Sequence, residues 1–182
     1  MRFRSCLPVA AAVFLATPAA AFEVTSPAFD DGARIPHAHV YRGFGCDGDN
    51  VSPALTWSGV PDDTESLAVT VHDPDAPKAG GWWHWLVVNL PPGTTKLPRG
   101  AGSGGDGLPE GAVQTRTSFK EPGYGGPCPP EGHGTHHYHV TVHALDSASL
   151  DVGPGTRPAE VKARLAEHRL AKGTLTGIYS RP

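Results

Sequence analysis

Two runs of strict apolar and polar alternation restrict this chain to a sheet-based fold. Ser66 to His72 puts Leu67, Val69 and Val71 on one face and Ala68, Thr70 and His72 on the other, and Asp73 continues the apolar parity. Tyr138 to Leu145 repeats the pattern, with Val140, Val142 and Ala144 inward and His139, Thr141 and His143 outward. His136 and Tyr138 fall on the inward parity. Between these runs, Trp85 to Asn89 is apolar on both faces, as expected for a central strand covered on both sides, and His84 shares parity with Leu86 and Val88. Three strands thus each carry a polar residue, Asp73, His84 or His136, in line with a face that should be buried.

The remaining elements are shorter. Phe22 to Ser26, His37 to Tyr41, Ser52 to Trp57 and Gly111 to Thr117 are candidate strands, with Gly and Pro punctuating the turns between them. Thr156 to Ala171 has the spacing of a helix: Thr156 can cap it, Pro158 fits the first turn, Val161 and Leu165 share a face, and Gly173 can stop it. Thr174 to Tyr179 can close the chain as a strand. Strands first and one late helix predict a mostly β, antiparallel β-sandwich with a peripheral C-terminal helix.

Residues 1–21 have the form of a cleaved secretory signal. Arg2 and Arg4 precede an apolar stretch, Val9 to Ala16, and Ala19-Ala20-Ala21 offers the cleavage site. A single domain over residues 22–182 follows, periplasmic or secreted, with no later run near the ~20 apolar residues of a membrane-spanning helix. Removing Arg2 and Arg4 takes 15 basic residues to 13 against 18 acidic ones, a net charge near −5 that disfavours nucleic acid as a partner. Cys6 leaves with the signal, so Cys46 and Cys128 remain, and in an oxidising compartment such a pair is expected to bond. Two free thiols or a redox pair are the alternative.

The chemistry converges on Asp73, His84, His136 and Tyr138. Histidine and tyrosine donate to an anion, and a carboxylate fixes a histidine's tautomer. The Gly123 to Gly132 loop, just before His136, can offer consecutive backbone N–H groups to an anion or serve only as a disulfide-pinned turn. His133, His136, His137 and His139 invite a metal reading, with His137, His139 and His143 sharing the outward face, but HExxH and paired-cysteine motifs are absent. Gly100 to Gly105 matches GxGxxG in letters alone, without a preceding strand or following helix. Neither a Walker motif nor a G-x-S-x-G elbow is present.

Asp73-Pro74-Asp75-Ala76-Pro77, Trp83-His84-Trp85 with Val87-Val88-Asn89, and Gly126-Pro127 through His136-His137-Tyr138 resemble the hallmark segments of the phosphatidylethanolamine-binding protein family, in its bacterial Raf kinase inhibitor-like branch. Asn50-Val51-Ser52-Pro53, Trp57 to Pro61 and Leu170 to Leu175 are similar to that branch too. The resemblance implies a sandwich with a small pocket for phosphate-type ligands or phospholipid head groups. That pocket would be formed by Asp73, Pro77, His84, the Gly126, Pro127 and Pro129 loop, His136 and Tyr138, with Asp75 shaping the turn. It implies a binding protein without cofactor, and a kinase- or protease-inhibitor-like role through a protein partner. A hydrolase using the His/Asp pocket as acid and base, or a metal-binding protein using the His cluster, are the alternatives. His137 stands where the family often has Arg, and His143 where an aromatic is usual, so anion affinity is expected to rise as histidines protonate.

Overall fold

The computed structural model describes residues 21–182, apart from Gly105. Residues 1–20 of the signal-like segment, Cys6 among them, therefore lie outside the described residues. The strands, in chain order, are β1 (Glu23–Thr25), β2 (Arg42–Gly43), β3 (Cys46–Asp47), β4 (Leu55–Ser58), β5 (Ser66–Asp73), β6 (Trp82–Leu90), β7 (Lys96–Leu97), β8 (Val113–Gln114) and β9 (His136–Leu145). Helix α1 (Pro158–His168) and strand β10 (Arg169–Tyr179) complete the chain. A five-stranded sheet of order β10-β9-β5-β6-β8 faces a three-stranded sheet of order β1-β4-β7, and β2 and β3 form a small hairpin. All pairings between these strands are antiparallel. Among the described residues no helix is long and apolar enough to cross a membrane.

The alternation read from β5 and β9 sorts their side chains between two cores. Leu67, Val69, Val71, Val140, Val142 and Ala144 pack with Trp85 and Val87 against Val24, Leu55, Trp57 and Leu97 of the smaller sheet. On the other face Ala68, Leu86, Val88 and Leu145 are covered by Val161 and Leu165 of α1, together with Leu150. The main β-sheet is thus buried on both sides over part of its area. The unbroken apolar run of β6 reflects that burial.

His84 departs from its expected parity. Val71 pairs with Trp85, but His72 pairs with Trp83, so the register shifts by one residue and His84 is the extra member of a bulge. Without it His84 would follow Leu86 and Val88 under the helix. The bulge returns it to the side of Asp73 and Tyr138.

Five expectations are corrected. His37 to Tyr41 is not a strand: His37–His39 forms a single tight helical turn, closed by the His39 N–H on the Pro36 carbonyl at 2.9 Å. The helix ends at His168, three residues before the expected Ala171, because Arg169 and Ala171 already pair with Leu145 and Ala144 of β9. Gly173 lies inside β10, where a Cβ would meet the Phe22 carbonyl oxygen at 2.6 Å, so its role is close packing against the N-terminal segment. Thr156 accepts from the Gly153 N–H, and no side chain caps α1. Gly111 to Thr117 contributes only the two residues of β8.

The Cys46–Cys128 disulfide is present, joining the β2–β3 hairpin to the long segment before β9. It closes a loop with a sequence separation of 82 residues. Replacing both cysteines by serine is expected to lower the unfolding free energy by up to roughly 4 to 5 kcal/mol on the chain-entropy account. Urea denaturation of the oxidised protein against the double variant measures the difference.

Candidate ligand pocket

The turn after β5 is closed by the side chain that opens it. Asp73 Oδ1 accepts the backbone N–H groups of Asp75 at 2.9 Å and Ala76 at 3.1 Å. This Asx-type turn stiffens the proline-bracketed segment and carries Pro77 and Lys78 to the pocket. The other carboxylate oxygen, Oδ2, accepts from His136 Nδ1 at 2.7 Å. Asp73 is 3% exposed and His136 1%, so this is a buried charged group whose two oxygens are both engaged. Asp75, expected to shape the turn, instead ties it to β9 by accepting from the His137 backbone N–H and Nδ1. His137 itself is exposed and lies outside the pocket lining.

With its Nδ1–H given to Asp73, a neutral His136 keeps a lone pair on Nε2. That atom lies 2.8 Å from His133 Nδ1, so Asp73, His136 and the exposed His133 form a row leading from the pocket floor towards solvent. His84 has a comparable constraint. Its Nδ1–H is shared between the carbonyls of Gly125 at 2.7 Å and Gly126 at 3.1 Å, which leaves Nε2 as an acceptor. Burial lowers the His84 pKa to about 4, against the opposing pull of those carbonyls and of Asp73. His84 is therefore neutral from pH 5.5 to 8 and does not itself supply a cation on acidification.

Tyr138 meets His84 edge to face, with ring centroids 5.1 Å apart. Its hydroxyl has no hydrogen-bond partner, and neither has the indole N–H of Trp82. Burial, and then the Asp73 charge, push the Tyr138 pKa upwards, so the phenol stays a donor. Above this floor stands an aromatic wall: Phe119 contacts Trp82, His84, Tyr41 and Phe44. Lys78 Nζ sits 4.8 Å from the Trp82 ring centroid, placing a permanent cation at the rim. The cavity encloses about 300 Å³, the size of a small-molecule site.

Of the sequence-predicted residues, Asp73, Pro77, His84, Pro129, His136 and Tyr138 line this cavity. Gly126 and Pro127 do not. They are buried behind it, where Gly126 donates to Asn50 Oδ1 and Pro127 accepts from the Tyr41 N–H. A Cβ on Gly126 would meet the His39 carbonyl oxygen at 2.0 Å, so close backbone approach accounts for the glycine. Sequence reading missed Phe44, Lys78, Trp82 and Phe119. Lys78 and Trp82 lie either side of Gly80-Gly81, directly after the Asp73 to Pro77 segment, so their proximity is local, whereas Phe44 and Phe119 arrive from loops that only the tertiary fold brings in. Cys128 also lines the cavity, so the disulfide is part of its wall.

The four histidines considered for metal separate. His133 and His136 join the Asp73 row, His137 pairs with Asp75, and His139 bonds Thr176 on the opposite face of the sheet. Among the described residues no group of three or more His, Cys, Asp or Glu is arranged to hold a metal ion.

The sequence pattern described as phosphatidylethanolamine-binding protein matches residues 25–180. The chain belongs to this family. UPF0098 protein YbhB of Escherichia coli is 51% identical over 150 residues, 82% of this chain and 94% of that one. UPF0098 protein YbcL of the same organism is 47% identical over 172 residues, 94% of each chain. The crystal structure of Escherichia coli YbcL, described as a new member of the mammalian PEBP family, superposes with a TM-score of 0.87, covering 90% of this chain and all of that one. LppC of Mycobacterium tuberculosis, described as a candidate lipoprotein, is 39% identical over 178 residues, 95% of this chain and 81% of that one.

The burial of neutral His84 gives the cavity a pH signature. In the unfolded chain His84 binds a proton near 6.5, whereas in the fold it does so only near 4. Its contribution is complete above pH 6.5 and is lost as pH falls from there to about 4, a change of roughly 3 kcal/mol. Denaturation curves across that window should show the loss, and His84→Phe should flatten the part due to this residue. Imidazole 15N shifts should report the Nδ1–H tautomer down to pH 5.

Proposed function

We propose that this chain is an exported, non-enzymatic binding protein whose pocket takes a small phosphorylated ligand or a phospholipid head group. The observation that carries this is the division of the pocket floor into donors and one acceptor. The Asp73 carboxylate is turned to its own turn and to His136, so its charge is partly compensated within the protein. The partnerless Tyr138 hydroxyl and Trp82 indole N–H, with Lys78 at the rim, remain to receive phosphate oxygens. His84 Nε2 is an acceptor suited to a protonated phosphate oxygen or a head-group ammonium. Phe44, 71% exposed beside the mouth, gives the rim an apolar contact for a partner protein or for the rest of a lipid, consistent with an inhibitor-like regulatory role.

The Asp73–His136–His133 row is the one observation that favours a hydrolase, since an Asp-oriented imidazole is the core of many acid-base sites. No serine or threonine lines the cavity and Cys128 is disulfide-bonded, so neither a serine or threonine hydroxyl nor a free thiol is at hand there as nucleophile. Export is supported by the signal-like residues 1–21, by the disulfide and by similarity to a candidate lipoprotein.

Calorimetric titration with phosphorylethanolamine tests the binding reading. Saturable binding should weaken about tenfold in Tyr138→Phe, from loss of one hydrogen bond to a charged group, and more in His84→Ala. Wild-type protein that turns over phosphoesters, with His136→Ala inactive, would transfer the assignment to the hydrolase. Export is checked by N-terminal sequencing of protein recovered outside the cytoplasm, which should begin at Phe22.

A further inference from the structure

The sheet that presents the pocket on its inner face carries a second concavity on its outer face, where the cover of α1 ends. This groove encloses about 390 Å³ and runs across β5, β9 and β10. Its floor is a ladder of cross-strand polar pairs. His139 Nδ1 lies 3.1 Å from Thr176 Oγ1, Thr141 Oγ1 lies 3.1 Å from Thr174 Oγ1, and Thr70 Oγ1 lies 2.9 Å from His143 Nε2. Four threonines, three histidines, Trp83 and Lys172 line it, and no carboxylate does.

His143 marks the groove as more than a solvated sheet face. It is 7% exposed, and its second ring nitrogen, Nδ1, has no hydrogen-bond partner. Burial, then the charges of Arg169 and Lys172, lower its pKa to about 3, so at neutral pH the ring has one donor and one acceptor. Whichever role Nε2 takes towards Thr70, Nδ1 takes the other, and a hydroxyl satisfies either because it both donates and accepts. The threonine hydroxyls ask for the same kind of partner. Lys172 lines the groove and acts with Arg169 on His143, which concentrates positive charge at the His143 end, while at His72 the Asp73 charge opposes that of Lys162.

We propose that the outer groove binds an acidic sugar unit, its ring hydroxyls on His143 and the threonine ladder and its carboxylate towards Lys172. Neutral sugars satisfy the ladder but leave the cation unused, and simple carboxylates do the reverse. Charge complementarity and the unpartnered buried nitrogen therefore select a ligand that carries both groups.

Titration with D-glucuronate, followed through the imidazole and threonine methyl NMR signals, tests this. The expected result is a saturable shift of His139, His143 and Thr174 that persists when phosphorylethanolamine is present. D-Glucose should bind more weakly, and Lys172→Ala should weaken glucuronate about tenfold, the loss of one charged hydrogen bond. Thr174→Val, at an equally exposed position, should weaken both sugars without touching the fold. No saturable shift, shifts confined to the inner pocket, or an equal response to glucose or to acetate would overturn the proposal.

Discussion

The hydrogen bond between Asp73 and His136 is the interaction on which the inner pocket depends. It joins the end of β5 to the start of β9 at a point where both side chains are almost wholly buried. A carboxylate in such a place is tolerable only if its oxygens are satisfied, and three donors meet that requirement: two backbone N–H groups of its own turn and one imidazole N–H. The same three bonds set the turn that carries Pro77 and Lys78, the tautomer of His136 and, through it, the orientation of His133. Removing either partner would leave an uncompensated polar group in the floor, and the geometry of the mouth would change with it.

The sequence revealed those parts of the fold that follow from local periodicity. Strands β5 and β9 could be read directly because each alternates for a full run, and the inward parity of Asp73, His136 and Tyr138 is what the structure shows. The chemistry of its side chain groups His84 with Asp73, His136 and Tyr138, while its parity with Leu86 and Val88 points to the helix side. A one-residue bulge, invisible to periodicity, reconciles the two. The end of α1 was misplaced because helical spacing continued into residues that long-range pairing with β9 claims for β10. Gly126 and Pro127 sit in a hallmark segment, yet they act through the backbone behind the wall. The aromatic wall was the least legible part, since Phe44 and Phe119 belong to loops whose only signal is tertiary.

Strand β9 shows how one alternating run can serve two surfaces. His136 and Tyr138 look into the aromatic-walled pocket, while His139, Thr141 and His143 look into the outer groove. Histidine is used differently on each side. On the inner face a carboxylate meets His136 and a pair of carbonyls meets His84; in the outer groove threonine hydroxyls meet His139 and His143, and the Gly80 carbonyl meets His72. The low affinity of His84 and His143 for protons has a common origin in burial, although the two rings belong to different cavities.

The wall of the inner pocket is assembled from segments far apart in the chain. The hairpin bearing Phe44 is held by Cys46 to Cys128, and the Arg181 guanidinium binds the Gly45 and Pro129 carbonyls and pairs with Glu131. Arg181 reaches these loops from just beyond β10, the edge strand of the main sheet, while the disulfide reaches them from the β2–β3 hairpin. One clamp is a covalent bond that an oxidant must make, and the other is a charged contact that salt screens. Redox state and ionic strength therefore bear on the mouth of the cavity through contacts that the sheet beneath it does not share.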